Sequence, residues 1–147
     1  MTFILRKMVM EDLPSVLKNE REAYKFPWSE GIFKGCLCKG DECWVISEKK
    51  IAGHAILSCA AKESHVLNLC VHPDFQGRGF GRKILDHILS VALTKGAEST
   101  FLEVRASNSI AVKLYEAMGF NEIGRRENYY PASINREDAL VFGKELL

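Results

Sequence analysis

The sequence predicts a mixed α/β fold, in which a central sheet of about seven strands is flanked by about four helices. Three observations support this prediction. Residues 42 to 71 divide into consecutive apolar segments with polar connections, which is typical of antiparallel strands. Residues 79 to 96 carry apolar side chains at three- and four-residue intervals, which is typical of an amphipathic helix. Strand and helix patterns then alternate, which favours a parallel crossover.

The first half of the chain is predicted to contain a strand, two helices and three further strands. Pro14 suits the first turn of the first helix. Ser29 can cap the second helix, because it ends a loop in which proline fixes the backbone. The predicted strand and helices are Phe3 to Met8, Glu11 to Tyr24, and residues 30 to about 38. The three strands, Glu42 to Ser47, Ile51 to Ala60 and Ser64 to Val71, are expected to form an antiparallel meander.

The second half is predicted to alternate between helices and strands. Its first helix follows Gly79 and ends near Gly96, and its apolar face is formed by Ile84, Leu85, Ile88, Leu89, Ala92 and Leu93. The remaining predicted elements are a strand at Thr100 to Arg105, a helix at Ser109 to Met118, and strands at Asn121 to Arg126 and Ala139 to Leu146. No linker or internal repeat is visible, so we expect residues 1–147 to form a single domain.

Composition narrows the possible functions. Twenty basic and nineteen acidic side chains give a net charge of +1, so no broad charged field favours a nucleic acid or a membrane as partner. The apolar stretches are too short for a membrane span, and charges come too early for a secretory signal, which predicts a cytoplasmic protein. The five cysteines lack paired zinc or disulfide spacing, and the four histidines are scattered. We therefore expect reduced, mostly buried thiols and no metal site.

A glycine-rich turn follows the predicted strand that ends at Val71. Residues 76 to 82 read Gln-Gly-Arg-Gly-Phe-Gly-Arg and lead into a helix. Glycines let the backbone approach a ligand closely, and the unpaired N–H groups at a helix start favour a diphosphate. The turn lacks both the Gly-Lys-Ser/Thr ending of nucleoside-triphosphatases and the third glycine of the dinucleotide fingerprint. From the glycines alone, a turn that only caps the helix is an equal alternative.

This turn resembles the Gln/Arg-x-x-Gly-x-Gly/Ala motif of the GNAT acetyltransferase superfamily, whose members use acetyl-CoA. The resemblance implies the GNAT fold and acetyl-CoA as co-substrate. It also implies two groups of cofactor-binding residues, one for the pantetheine arm at the strand end and one for the pyrophosphate at the turn. These groups are Leu69, Cys70 and Val71, and Gly77, Arg78, Gly79, Phe80, Gly81 and Arg82. Phe80 departs from the aliphatic residue that the motif usually has there.

A second stretch, residues 102 to 120, supplies candidates for catalysis. Glu103 lies in an otherwise apolar strand and Tyr115 in a helix that follows Asn108. Acetyl transfer to an amine needs a base for the ammonium proton and an acid for the leaving thiolate. From the residues alone, a paired strand-edge carboxylate and a packed core tyrosine are the favoured alternatives. The stretch is similar, however, to ribosomal-protein-alanine N-acetyltransferases of the GNAT superfamily, which implies that Glu103 is the base, Tyr115 the acid and Asn108 a cofactor contact.

The same similarity extends to Phe26-Pro27-Trp28-Ser29, to residues 128 to 131 and to residues 136 to 139, and it implies that Trp28, Tyr129 and Tyr130 lie on the acceptor side. The expected acceptor is the N-terminal α-amine of a protein, above all a small-subunit ribosomal protein that begins with alanine. The expected mechanism is direct attack in a ternary complex, with a backbone N–H near Val71 steadying the oxyanion. Two alternatives stay open: acetylation of a lysine or small-molecule amine, and a non-catalytic module that binds acyl-CoA.

Overall fold

The structure, a computed structural model, describes residues 2–147. Its strands are β1 (Ile4–Lys7), β2 (Glu42–Glu48), β3 (Lys50–Ala60), β4 (Glu63–Val71), β5 (Ser99–Arg105), β6 (Asn121–Pro131) and β7 (Arg136–Glu145). Its α-helices are α1 (Leu13–Ala23), α2 (Glu30–Lys39), α3 (Phe80–Thr94) and α4 (Ser109–Ala117). The predicted α/β fold, with seven strands and four helices, is confirmed within this range. None of these helices is long and apolar enough to cross a membrane.

All seven strands belong to one sheet with the order β1-β2-β3-β4-β5-β7-β6. The strands β2, β3 and β4 pair antiparallel with their sequence neighbours, which confirms the predicted meander. The strands β4 and β5 are parallel and are joined through α3, as the succession of strand, helix and strand predicted. The last strand, β7, lies between β5 and β6 and is antiparallel to both.

The boundaries of the last two strands were predicted wrongly. The predicted ranges were 121–126 and 139–146, whereas β6 extends to Pro131 and β7 begins at Arg136. The register between these strands shifts at two places, and Asn128 has a φ of 51°. Such bulges break the two-residue alternation on which a sequence prediction relies. Pro131 is tolerated because it is the last residue of a strand at the edge of the sheet.

The helices cover the two faces of the sheet. On one face α1 and α2 pack on β2 and β3 through a cluster that includes Val16 and Phe33. On the other face α3 packs through Ile84, Leu85 and Ile88, which are fully buried. The predicted apolar face of α3 is therefore the buried one, although Leu93 at its end is exposed.

A bulge in β4 opens the middle of the sheet. Ile56 of β3 pairs with Asn68 and its neighbour pairs with Val66, so that Leu67 has no partner residue in β3. The pairing of β4 with β5 ends at Val66 and Leu102. Because a bulge bends its strand, β4 and β5 diverge beyond this point. The result is a gap between two parallel strands at the centre of the sheet.

The cysteines agree with the sequence prediction. All five are free, Cys36, Cys43 and Cys70 are buried, Cys59 is half-buried and Cys38 is exposed. Burial raises the pKa of Cys43 to about 12. Cys36, Cys43 and Cys70 therefore pack as small apolar groups in thiol form.

Candidate active site

A cavity of about 690 Å³ lies where β4 and β5 diverge. Its walls come from both faces of the sheet, since α3 and α4 contribute Phe80, Gly81 and Tyr115, and the end of α1 and the segment after it contribute Tyr24 and Phe26. The volume lies within the range of about 300 to 1,000 Å³ that small-molecule sites usually occupy. Two ligands that approach from opposite faces of the sheet can therefore meet in this gap.

The strand β4 presents an open edge to the cavity. The N–H of His72 donates to a carbonyl of β3 at 2.8 Å, so alternate residues direct their N–H and C=O groups towards β3 and the residues between them direct theirs into the gap. Leu69 and Val71 belong to the second set. The Tyr24 hydroxyl donates to the Leu69 carbonyl, and the Gln76 side chain donates to the Val71 carbonyl at 3.0 Å. The N–H groups of Leu69 and Val71 thus face a ligand in the gap.

A close approach of β3 supports this edge from behind. Gly53 pairs with Val71, and a Cβ atom on Gly53 would lie 2.6 Å from the Cys70 carbonyl oxygen. Such a separation is shorter than a real van der Waals contact, so any other residue at position 53 would push β3 and β4 apart. Glycine is therefore required where the chain backs the ligand-facing edge.

The glycine-rich turn forms the adjoining wall. Gly77 and Gly79 have φ values of 76° and 83°, a region that favours glycine, and both line the cavity. Gly79 is the N-cap of α3, so the first N–H groups of this helix have no acceptor within it. A Cβ atom on Gly77 would meet no other atom within 4 Å. Exposed N–H donors in open space, beside Arg82, fit the diphosphate of an acyl-CoA.

Tyr115 reaches the cavity from α4. The Asn108 side chain caps this helix by accepting the N–H of Ala111 at 3.2 Å, and Asn108 also lines the cavity. The Tyr115 ring packs against Phe120 and Phe142, with centroid distances of 5.7 and 6.3 Å. Burial, and to a smaller degree the nearby Tyr130, raises the pKa of Tyr115 above its ordinary value. The hydroxyl therefore keeps its proton at neutral pH and can donate it.

Glu103 lies on the opposite face of β5. Its neighbours Leu102 and Val104 belong to the cluster under α3, so the alternation of the strand directs Glu103 towards the side of α1 and α2. Its carboxylate oxygens lie 3.5 Å from Nε2 of His65 and 3.5 Å from Nε of Arg126. With a side-chain exposure of 17%, the carboxylate is accessible to water and to an incoming amine.

Two tyrosines of β6 stand beside this carboxylate. The charge of Glu103 is the main cause that raises the pKa of Tyr129, and Tyr129 also donates a hydrogen bond to it. Burial raises the pKa of Tyr130 to about 12, with the charge of Glu103 as the second cause. Both hydroxyls therefore keep their protons and lie near Glu103, the carboxylate that the sequence predicted for catalysis.

Two segments meet over the cavity on the Glu103 side. Lys25, in the segment between α1 and α2, contacts the Ser133 hydroxyl in the turn between β6 and β7. Arg105 lies beneath them, and its Nη1 donates to the Pro131 carbonyl at 2.7 Å and to Glu137 at 3.2 Å. The two segments and Arg105 therefore form the wall on the side from which an acceptor would approach.

The predicted site residues fall into three groups. Those that line the cavity are Leu69, Val71, Gly77, Gly79, Phe80, Gly81, Arg82, Asn108 and Tyr115. Those that stand together beside it are Glu103, Tyr129 and Tyr130. The side chains of Cys70, Arg78 and Trp28 are directed elsewhere: Cys70 faces the Asn19 carbonyl behind β4, Arg78 bonds to Glu48 at 2.7 Å, and Trp28 packs on Phe33 at 5.2 Å.

The residues of the cavity wall that sequence reasoning missed include Tyr24, Phe26, Arg105 and Glu137. The sequence held a signal for Arg105, since residues two apart in a strand share a face and Arg105 follows Glu103 by two. Tyr24 occupied the last turn of a predicted helix, and nothing there indicated that its hydroxyl would reach β4. Glu137 lay in the segment that resembles the acetyltransferases but outside the predicted range of the last strand, so the strand alternation did not indicate its inward position.

A buried carboxylate ties the acceptor side to β4. Glu20 of α1 has only 2% of its surface exposed, and it accepts hydrogen bonds from the Trp28 amide at 3.0 Å, the His54 ring at 3.0 Å and the Asn68 side chain at 3.3 Å. The ligand-type atoms of Glu20, His54 and Cys70 also lie within 4.8 Å of one another. Within residues 2–147, hydrogen bonds from three different segments already account for both oxygens of this carboxylate.

Comparison with known proteins gives a consistent result. Residues 5–120 match the family model described as the acetyltransferase (GNAT) family. The chain is 41% identical over 133 residues to the [ribosomal protein bS18]-alanine N-acetyltransferase of Salmonella typhimurium, and 39% identical over 131 residues to that of Escherichia coli K12. Each alignment covers 88% of this chain and 88% of the relative.

Solved structures agree with these relatives. The crystal structure of the ribosomal-protein-S18-alanine N-acetyltransferase from Escherichia coli is similar with a TM-score of 0.93 and 35% identity, covering 99% of this chain and 94% of that one. A chain of a NatC complex bound to a Gag peptide and CoA has a TM-score of 0.88 at 20% identity, and covers 100% of both chains. At that identity the second comparison shows a shared fold.

Proposed function

The chain belongs to the acetyltransferase (GNAT) family, whose members use acetyl-CoA, and we propose that it acetylates the N-terminal α-amine of a protein. The leading acceptor is a small-subunit ribosomal protein of the bS18 type that begins with alanine. The observation that carries this proposal is the 39–41% identity, over 88% of both chains, to enzymes named for that reaction. Residues 1–147 would act as one cytoplasmic domain, with the protein N-terminus as partner.

In this proposal acetyl-CoA occupies the α3 and α4 side of the cavity. The N–H of Leu69 and the C=O groups of Leu69 and Val71 pair with the amides of the pantetheine arm, and the N–H groups from Gly77 to Arg82 hold the pyrophosphate. The Asn108 side chain adds a contact to the arm. The Cys70 side chain takes no part because it faces away, and the Arg78 side chain is engaged by Glu48.

The acceptor amine enters from the other face, past Glu103. Glu103 takes a proton from the ammonium, directly or through one water, and the free amine attacks the thioester carbonyl carbon. The C–N bond forms, the carbonyl becomes an oxyanion held by the N–H of Val71, and the C–S bond then breaks. Tyr115 gives its hydroxyl proton to the departing thiolate, the new amide nitrogen loses its extra proton to solvent, and solvent returns a proton to Tyr115.

An α-amine suits a carboxylate base better than a lysine side chain does. The reference pKa of an α-amine is about 7.7 to 8.0, whereas that of a lysine amine is about 10.4. At neutral pH an appreciable fraction of α-amines is therefore already unprotonated, and a weak base is sufficient to deprotonate the rest. Glu103, with its neighbours His65 and Arg126, provides such a base at the site.

The test uses the purified protein, acetyl-CoA and two peptides. One begins with the alanine of the ribosomal protein, and the other carries lysine but has a blocked α-amine. Mass spectrometry locates the acetyl group. We expect acetyl on the α-amine of the first peptide alone. Acetyl only on lysine would overturn the acceptor, and tight acetyl-CoA binding without transfer to either peptide would favour a small-molecule amine or a non-catalytic module.

A further inference from the structure

Arg105 is a charged side chain of the cavity wall that several neighbours hold in place. Its guanidinium carbon lies 4.9 Å from the ring centroid of Phe26 and 4.6 Å from that of Tyr130. Its Nη1 donates to the Pro131 carbonyl at 2.7 Å and to Glu137 at 3.2 Å. Glu137 is itself fixed, because it accepts the N–H of Ser107 at 2.7 Å. Contacts from four residues in three segments therefore leave the guanidinium little freedom to reorient.

These contacts leave hydrogen-bond donors for a ligand. A guanidinium carries five N–H donors, and the hydrogen bonds of Arg105 to the rest of residues 2–147 all start from Nη1. The two aromatic rings contact the guanidinium as cation–π partners. With 25% of the side chain exposed at the cavity, Nε and Nη2 are preorganised donors for an oxygen atom.

The position of Arg105 relates it to the reacting amine. Arg105 follows Glu103 by two residues, so both side chains leave β5 on the same face, with Cα atoms about 7 Å apart. When the acceptor amine is at Glu103, the carbonyl carbon of its first residue is two bonds from the nitrogen. The Arg105 guanidinium, which belongs to the next side chain on that face of β5, is therefore suitably placed to donate to that carbonyl oxygen.

From this arrangement we propose that Arg105 binds the first carbonyl oxygen of the acceptor and so determines specificity for an α-amine that precedes a peptide group. The inference rests on the proposed function. A lysine side chain and a polyamine have a methylene group where an N-terminal residue has this carbonyl. Either of them leaves the partly buried donors of Arg105 without an acceptor, which disfavours these amines in the site.

The test is a cycle of two enzymes and two acceptors. The enzymes are the full chain and its Arg105→Ala variant. The acceptors are an alanine-initiated peptide and the same peptide with its first peptide bond replaced by a trans-alkene, which keeps the shape but lacks the carbonyl oxygen. We expect Arg105→Ala to lower kcat/KM for the peptide by about 10- to 100-fold, the usual effect of losing a hydrogen bond to a charged group. For the alkene analogue we expect the two enzymes to agree within about threefold.

The controls separate a binding role from a structural one. A merely structural role would lower kcat/KM by the same factor for both acceptors, and that result would overturn the inference, as would an unchanged rate with the peptide. Arg6→Ala removes another arginine–carboxylate pair, at the far edge of the sheet, and should leave both acceptors unaffected. A wild-type enzyme that acetylates only lysine would overturn the proposed function together with the inference, and is recognised before any variant is made.

Discussion

Replacing Glu20 with Gln tests how the buried carboxylate supports the site. A carboxylate only accepts hydrogen bonds, so Nε2 of His54 carries a hydrogen towards Oε1 while the Trp28 amide donates to Oε2. Glutamine has one oxygen for these two donors. If its oxygen faces Trp28, the hydrogen of His54 must move to Nδ1, a buried atom without a partner in residues 2–147. If its oxygen faces His54, the Trp28 N–H is left unpaired.

Either arrangement leaves one buried N–H without an acceptor, which costs about 1 to 3 kcal/mol of unfolding free energy. With a urea m-value of about 2 kcal/mol/M, a loss of 2 kcal/mol lowers the unfolding midpoint by about 1 M. The assay is equilibrium unfolding in urea, followed through the fluorescence of the two tryptophans.

A graded series makes this reasoning refutable. Glu22→Gln changes the same residue type on the same helix, but the Glu22 side chain is 46% exposed where it contacts His72, so the loss should stay below about 1 kcal/mol. Glu20→Ala removes the acceptor of all three donors and should lower the unfolding free energy by at least about 3 kcal/mol. Equal midpoints for Glu20→Gln and Glu22→Gln would refute the role assigned to the buried carboxylate.

Three further predictions concern catalysis and acid stability. Glu103→Gln should lower kcat by about 100- to 10,000-fold and leave acetyl-CoA affinity within about twofold, as calorimetry and steady-state rates would show; an unchanged kcat would remove Glu103 from the mechanism. Tyr115→Phe should lower kcat by about 100-fold, and because burial raises the pKa of Tyr115, the wild-type rate should show no loss through this group up to about pH 10. The hydrogen bond from Arg6 lowers the pKa of Asp12, so this pair stabilises the fold above the ordinary pKa near 3.9 and loses its effect as pH falls through the lowered value. Urea unfolding of wild type and Asp12→Asn should therefore differ by about 1 kcal/mol at pH 6 and converge as the pH falls below the lowered pKa of Asp12.

The sequence predicted the fold where local periodicity and burial agree. The helix α3 is such a case, since the apolar stripe at Ile84, Leu85 and Ile88 is the face that packs on the sheet. The strand β6 is the opposite case. Most of its residues are exposed and two register shifts interrupt its pairing, so its second half carries no alternation for a sequence pattern to detect.

The candidate site also has one part that the sequence predicted and another part that it did not. The turn at Gly77 and Gly79 was predictable because a tight turn before a helix favours glycines with positive φ, and both residues have it. The gap itself was not predictable. The gap depends on the bulge at Leu67. This bulge arises in the pairing of β3 with β4, and it makes β4 diverge from β5. Contacts of Tyr24 and Glu137 arise from distant segments and leave no trace in neighbouring residues.

The divergence of β4 and β5 also favours direct transfer over a covalent enzyme intermediate. Cys70 is the one cysteine of β4, and its thiol faces α1 while Leu69 and Val71 face the cavity. Burial, and then the charge of Glu20, raises the pKa of Cys70 well above its ordinary value, so its thiolate is scarce at neutral pH. Glu103 and Tyr115, by contrast, approach the gap from opposite faces of the sheet. In the proposed mechanism Glu103 is the base on the acceptor side and Tyr115 the acid on the thioester side, which is the arrangement that direct attack within a ternary complex requires.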